Sequence, residues 1–137
     1  MDGLFYLASP YSHTDPAIQE KRFVDACRYA GQIMNCGVHV FSTIAHTHPI
    51  ACVCSLPKEW EYWRVYDSII LRFCTGMIIL CIDGWEKSVG ISEEIRLAEQ
   101  FRLPVYKLFP GHSVVMQVEG IKAVERARLA IQEKTHV

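Results

Sequence analysis

Two carboxylates stand where apolar side chains are expected. Between Gly90 and Arg102, residues spaced at the helical period of about 100° put Ile91, Ile95, Leu97, Ala98 and Phe101 on one arc. Glu94 falls near the middle of that arc, with Glu93, Arg96 and Gln100 on the opposite side. From Pro57 to Cys74 a second arc of Trp60, Trp63, Tyr66, Ile70, Leu71, Phe73 and Cys74 encloses Asp67. A carboxylate on a core-facing surface costs free energy unless it is paired or used. Structural readings exist for each: Glu94 near a helix N-terminus is favoured by the helix dipole, and Asp67 could be satisfied by an Arg, a Tyr or the backbone. Two such groups on adjacent helices, in unequal surroundings, can also act as nucleophile and proton donor.

The segment Asp83-Gly84-Trp85-Glu86-Lys87-Ser88-Val89-Gly90 leads into the Glu94 helix. Ser88 can cap that helix, and with the amides near Gly90 it can hold an anion at the N-terminus. His46-Thr47-His48-Pro49 and Cys52-Val53-Cys54 offer ligands that suit zinc. Their H-x-H and C-x-C spacings match neither usual zinc-finger pattern, and both pairs fall in one short segment. The expectation is no metal, with His46 or His48 lining a pocket. Trp63, with Trp60, could stack a base or simply join the core. No GxGxxG and no GxxxxGK[ST] is present, so neither a dinucleotide fingerprint nor a P-loop is indicated.

These side chains need a scaffold. Leu4 to Ala8 reads as a buried strand ended by Ser9-Pro10. Asp15-Pro16 opens a helix that Asn35-Cys36-Gly37 closes. Val38 to Phe41 is a second strand, Ser42 to Ser55 a loop, and Pro57 lies in the first turn of a helix to about Cys74. Gly76 to Ile82 is a strand apolar throughout, as a strand covered on both faces should be. After the Asp83–Gly90 loop come the Glu94 helix, a strand from Pro104 to Phe109, and a final helix over about Val118 to Glu133. Val114 to Gln117 reads equally as a fifth strand or a turn. This order predicts a single domain over 1–137, with a three-layer, doubly wound (flavodoxin/Rossmann-like) parallel sheet of four to five strands and helices on both faces. In such sheets ligands sit outside the carboxyl ends of the strands. That rule selects Ser9–Asp15, Ser42–Ser55, Asp83–Gly90 and the loop after Phe109.

Composition narrows the partners. The 137 residues are 50% hydrophobic, with 14 Lys+Arg against 15 Asp+Glu. A net charge of −1 argues against a polymeric nucleic acid or an acidic membrane surface as partner, and the low charge content argues against disorder. No apolar run approaches the roughly 20 residues of a membrane span. Met1-Asp2-Gly3 carries no basic signal region, so the six cysteines read as reduced thiols of a cytoplasmic protein.

The motifs carry a resemblance. Tyr6-Leu7-Ala8-Ser9-Pro10-Tyr11 resembles the first strand and loop of the nucleoside 2-deoxyribosyltransferase-like superfamily. Gly84-Trp85-Glu86-x-Ser88-x-Gly90-x-x-x-Glu94-x-x-x-Ala98 resembles its second signature. A bacterial and phage branch shares an Ile-Ala-His-x-His-Pro segment and a Trp-x-x-Trp-x-x-x-Asp helix, found here at Ile44–Pro49 and Trp60–Asp67. The likeness runs from about Leu4 to Phe109. It implies cleavage or transfer at an N-glycosidic bond, with Glu94 as nucleophile, Asp67 assisting the leaving base and Tyr6 orienting Glu94. It implies a pocket that includes Ser9, Pro10, Tyr11, Asp83, Gly84, Trp85, Ser88 and Gly90, a nucleoside or nucleotide as ligand, no cofactor, and a homodimer or homotetramer. Transferases acting on free nucleosides usually have Asp where Ser88 stands. The related 5′-monophosphate hydrolases have Ser there, against phosphate, which points to a phosphorylated substrate. Their Gly-rich phosphate loop is replaced by Pro10-Tyr11-Ser12-His13, so a related ribosyl ligand is the other expectation. Two further readings are a non-catalytic nucleotide-binding module and a metal-binding regulator using His46, His48, Cys52 and Cys54.

Overall fold

The computed structural model of the chain describes residues 1–135. Its strands are β1 (Leu4–Ala8), β2 (His39–Ser42), β3 (Gly76–Leu80) and β4 (Val105–Leu108). Its helices are α1 (Pro16–Asn35), α2 (Thr43–Cys54), α3 (Trp60–Arg72), α4 (Val89–Gln100) and α5 (Val114–Thr135), with a 3₁₀ turn at Trp85–Lys87. The strands form one parallel sheet in the order β2-β1-β3-β4. This is a three-layer, Rossmann-like fold. The chain steps one way from β1 to β2 and the other way to β3, so the switch point lies between β1 and β3.

Alternation along β1 divides the core. Phe5 and Leu7 pack on one face with Ala30 and Ile33 of α1 and Val118 and Ile121 of α5. Tyr6 and Ala8 point to the other face, with Leu71 of α3 and Ile91 and Ala98 of α4. A side-chain period of two therefore aims Tyr6 at the layer that carries both carboxylates. The covered β3 is buried at every residue, as its unbroken apolar run requires.

Four expectations need correction. The segment read as the Ser42–Ser55 loop is mostly α2. Ser42 Oγ accepts from the Ala45 amide at 3.1 Å, Thr47 Oγ1 donates to the Thr43 carbonyl at 2.8 Å, and Ser55 ends the helix in the left-handed region at φ 55°. His, Thr and Pro49 are weak helix formers, and no apolar stripe betrays the helix because Thr43, Thr47 and His48 are themselves buried. The helix expected from Pro57 begins at Trp60. Within it, Tyr66 and Phe73 are exposed rather than part of the covered arc. Val114–Gln117 is the first turn of α5, seeded by Ser113, whose Oγ accepts from the Met116 amide at 3.2 Å.

Candidate active site

A cavity of about 390 Å³ opens at the carboxyl end of the sheet, at the switch point. Its size falls within the roughly 300–1,000 Å³ typical of small-molecule sites. The loop after β1 contributes Ser9, Tyr11, Ser12 and His13 to the wall, and the first turns of α2 contribute Thr43, Ile44 and Thr47. Trp60, Trp63 and Asp67 come from α3, and Gly84, Lys87, Ser88, Val89, Gly90 and Glu94 from the β3–α4 loop and α4. Arg22 reaches in from α1, and Lys58 and Glu59 precede α3.

The two carboxylates read from helical period meet here. Glu94 sits in the second turn of α4 and is 5% exposed. Burial, reinforced by the nearby Asp67 charge, pushes its carboxyl up to about 8, and the pull of the Tyr6 hydroxyl opposes that rise. Asp67 is mostly buried; desolvation raises its carboxyl to about 7, and its Oδ1 has no hydrogen-bond partner among the described residues. The groups repel one another, so their proton losses belong to the pair, and both steps fall well above the usual carboxylate range. Near neutrality the pair therefore retains a proton, held mainly by Glu94 as the group pushed up further. Tyr6 is fully buried behind the cavity and pairs with Thr43 Oγ1 at 3.2 Å. Burial and both carboxylates hold it as the neutral phenol, so its O–H is available to a carboxylate oxygen of Glu94.

The β3–α4 loop shapes the floor. Ser88 Oγ accepts from the Ile91 amide at 3.2 Å and caps α4, leaving its own hydroxyl proton free to donate. A Cβ at Gly90 would lie 3.6 Å from Trp60, 3.7 Å from Ser88 Oγ and 3.9 Å from Glu94 Oε1. The missing side chain leaves cavity space beside the carboxylate. Gly84 has φ +92°, and a Cβ there would meet the Arg22 guanidinium at 2.4 Å. The positive φ of the turn calls for glycine, and the missing Cβ gives the Arg22 guanidinium its place.

Several expected residues lie outside the cavity wall. His46 is exposed on α2, stacked on Tyr66 with ring centroids 6.3 Å apart. His48 is buried behind Tyr11: its Nδ1 accepts from the Tyr11 hydroxyl, and its Nε2–H donates to Glu20 Oε2 at 2.8 Å. It anchors a wall residue rather than forming the wall. The cause is α2 itself, because residues two apart on a helix point to nearly opposite sides. The same geometry disperses the metal-binding arrangement of His46, His48, Cys52 and Cys54. Cys52 lies one turn from His48, its Sγ 3.5 Å from Nε2, while His46 faces elsewhere. Among the described residues no cluster of three or more His, Cys, Asp or Glu side chains could hold a metal ion. Pro10 is buried just past β1, Asp83 is exposed, and neither lines the cavity. Trp85 packs against the Tyr6-side core beneath the Lys107 ammonium, 5.2 Å from its ring centroid.

The sequence reading missed Arg22, Lys58, Lys87, Thr43 and Thr47 on the wall. Thr43 and Thr47 were hidden with α2. Arg22 stands in line with the buried Ala26, Ala30 and Ile33 of α1, a misplaced charge of the kind that marks Glu94, but no local pattern shows it reaching across to Gly84.

Fold and site together define a doubly wound α/β protein with a carboxylate-bearing cavity at its switch point. The chain belongs to the family described as a domain of unknown function, DUF1937, whose pattern matches residues 3–109. That match spans β1 to β4 and every residue of the cavity wall, and leaves α5 outside. No curated protein matches the chain.

Proposed function

We propose that this protein cleaves or transfers the N-glycosidic bond of a nucleoside or nucleoside 5′-monophosphate. The observation that carries the reading is that Glu94 and Asp67 line one cavity at the ligand edge of the sheet, with the buried Tyr6 hydroxyl beside Glu94 behind its wall. The likeness of the Tyr6–Tyr11 and Gly84–Ala98 motifs to the nucleoside 2-deoxyribosyltransferase-like superfamily supports it.

In this mechanism a Glu94 carboxylate oxygen attacks the anomeric carbon and forms a glycosyl ester. The C–N bond breaks, its electron pair passes to the base nitrogen, and Asp67 supplies the proton. Water then attacks the same carbon, Asp67 takes the proton back, and the Glu94 carboxylate leaves. A second base in place of water would accept the sugar. This is the retaining logic of paired carboxylates. The reactive form is the singly protonated pair with Glu94 ionised and the proton on Asp67, the less populated form because Glu94 has the higher proton affinity. Tyr6 steadies the nucleophile, Trp60 and Trp63 flank the base, and Ser88 with the α4 N-terminus faces a sugar hydroxyl or phosphate. The step needs no cofactor.

Incubation with a panel of nucleosides and their 5′-monophosphates, followed by chromatography for free base, tests the proposal. Base release that Glu94→Ala abolishes is the expected result. Release that survives Glu94→Ala overturns the role of Glu94, and ligand-induced stabilisation without turnover marks a binding module instead.

The proposal includes a cytoplasmic setting and a homodimer or homotetramer. No helix among the described residues is long and apolar enough to cross a membrane, and all six cysteines are unbridged. Tyr62, Val65, Ile69 and Phe73 on the outer side of α3 are exposed apolar residues that suit a second copy. Light scattering that returned the 15.7 kDa monomer would remove the oligomer from the proposal.

A further inference from the structure

Thr43 is buried, only 4% exposed, yet its hydroxyl has no duty at the helix it opens. It is the first residue of α2, and Ser42 already caps that helix by accepting from the Ala45 amide. The Thr43 main chain is held separately, by Thr47 Oγ1 on its carbonyl at 2.8 Å. Its hydroxyl meets Tyr6 instead, oxygen to oxygen at 3.2 Å, across 37 positions of sequence. Parallel pairing produces the meeting. Tyr6 lies opposite Phe41 and Leu7 opposite Ser42, so α2 begins at the carboxyl edge of the sheet next to β1.

Two hydroxyls share this contact, and the neighbouring carboxylate fixes which one donates. A phenol has one proton, and an ionised carboxylate only accepts. The charge-assisted bond is the stronger. Whenever Glu94 is ionised, the Tyr6 proton therefore turns to it, and the Thr43 hydroxyl donates to the Tyr6 oxygen. Burial is the main cause that raises the Tyr6 phenol; Glu94 adds to the rise, as an acceptor of its proton does, and Thr43 lowers it, as a donor to its oxygen does. Bonds in such a chain polarise one another in a dry interior, and Tyr6 is fully buried. Thr43, Tyr6 and Glu94 in series support the charged carboxylate more than Tyr6 alone would. Asp67 opposes that charge from α3. Tyr11, His13, Arg22, Lys58, Glu59 and Lys87 share the wall, and on α4 itself Glu93 and Arg96 pair at 3.0 Å. Burial, Asp67 and Tyr6 are what the Glu94 carboxyl feels.

We propose that Thr43 is a positioning residue: its hydroxyl turns the Tyr6 proton onto Glu94 and so enlarges the share of the ionised, attacking carboxylate. Thr43 acts through Tyr6 rather than on the ligand. Its effect on rate rests on the glycosidase reading; its effect on Glu94 does not.

Carbon NMR of the ¹³C-labelled, ligand-free chain reads the Glu94 carboxyl directly, its resonance identified by its loss in Glu94→Gln. Thr43→Val keeps the shape and the main-chain contacts and removes the hydroxyl. It should raise the Glu94 titration midpoint by about 0.5 pH unit or more, and Thr43→Ser should leave the midpoint in place. Thr43→Ala gives the same readout if Thr43→Val folds poorly. A rise of about 0.5 unit leaves about threefold less of the attacking form at neutral pH, so kcat for base release should fall about threefold with KM nearly unchanged, and Thr43→Ser should restore it. An unmoved midpoint in a folded Thr43→Val or Thr43→Ala overturns the role of Thr43. A higher KM with kcat unchanged also overturns it, because Thr43 would then contact the ligand, which its place on the cavity wall permits. If neither hydroxyl-free variant folds while Thr43→Ser does, the hydroxyl serves the fold and the role fails. If the midpoint moves as expected and no nucleoside or 5′-monophosphate releases base, the positioning chain stands and the glycosidase reading fails. If Glu94-dependent base release is seen and the midpoint does not move, the reverse holds.

Discussion

Replacing Glu94 with Gln is expected to stabilise the protein by an amount that grows with pH. The carboxyl moves from an ordinary value of 4.5 to about 8 on folding. The folded state therefore holds a proton that the unfolded chain releases, and stability falls as pH rises from the unfolded value through the folded one. At about 1.4 kcal/mol for each tenfold change in proton affinity, ionisation costs the folded protein roughly 4 kcal/mol by pH 8 and well under half of that at pH 5. Gln keeps the shape and the contact with Tyr6 but has no charge to desolvate. Its presence also relieves Asp67 of a neighbouring charge. Unfolding entropy of about 2.1 cal/mol/K per residue converts the difference at pH 8 into a gain in Tm on the order of 10 °C. The assay is thermal unfolding of wild type and Glu94→Gln from pH 5 to pH 8.5, followed by far-UV circular dichroism. The curves should nearly meet at pH 5 and diverge steadily above it. Parallel curves, or a variant less stable at pH 8, would refute the view that Glu94 is held in an environment hostile to its charge.

Three other outcomes follow from the same geometry. Base release should rise with pH through an acid limb near 7 rather than near 4, because the pair must lose its first proton before Glu94 can attack; a pH–rate profile that is flat from pH 5 to 8 would contradict this. Gly90→Ala should fold as well as wild type, since its methyl would make only ordinary contacts 3.6 Å from Trp60 and 3.9 Å from Glu94 Oε1, yet slow base release by narrowing the cavity beside the carboxylate; undiminished turnover would show that the ligand lies elsewhere. His48→Ala should raise KM more than it lowers kcat and destabilise the fold by about 1–3 kcal/mol, since Tyr11 loses the acceptor that fixes it; a change confined to kcat would argue for direct chemistry by His48.

How much was legible beforehand depends on whether the signal was periodic. Glu94 and Asp67 were visible because an amphipathic helix makes a misplaced charge conspicuous, and α4 kept that pattern: Ile91, Glu94 and Ala98 are its buried residues. The strands were legible as apolar runs, to within a residue or two at their ends. In α2 the signal failed. A helix carrying a proline and burying threonines and a histidine has neither the propensity nor the stripe that announces one. His46 and His48 were consequently placed on a loop at the pocket edge, when helical rotation sends one to solvent and the other behind Tyr11. The aromatic face of α3 was legible as apolar, but periodicity cannot say how far a neighbouring layer extends over it, so core and interface read alike. Arg22 carried the periodic signal too, in line with Ala26, Ala30 and Ile33 of α1, but its partners were not legible. Its role depends on a glycine 62 positions away and on two loop carbonyls, a meeting that only the parallel topology produces.

In the proposed reaction Glu94 is the nucleophile that attacks the anomeric carbon. The most direct measurement is the rate of free-base release from a nucleoside 5′-monophosphate by wild type and by Glu94→Gln, with folding of both verified beforehand. Wild type should turn over, and the variant, as stable or more so, should lose at least about 10³-fold in rate. Base release by Glu94→Gln at the wild-type rate would contradict it.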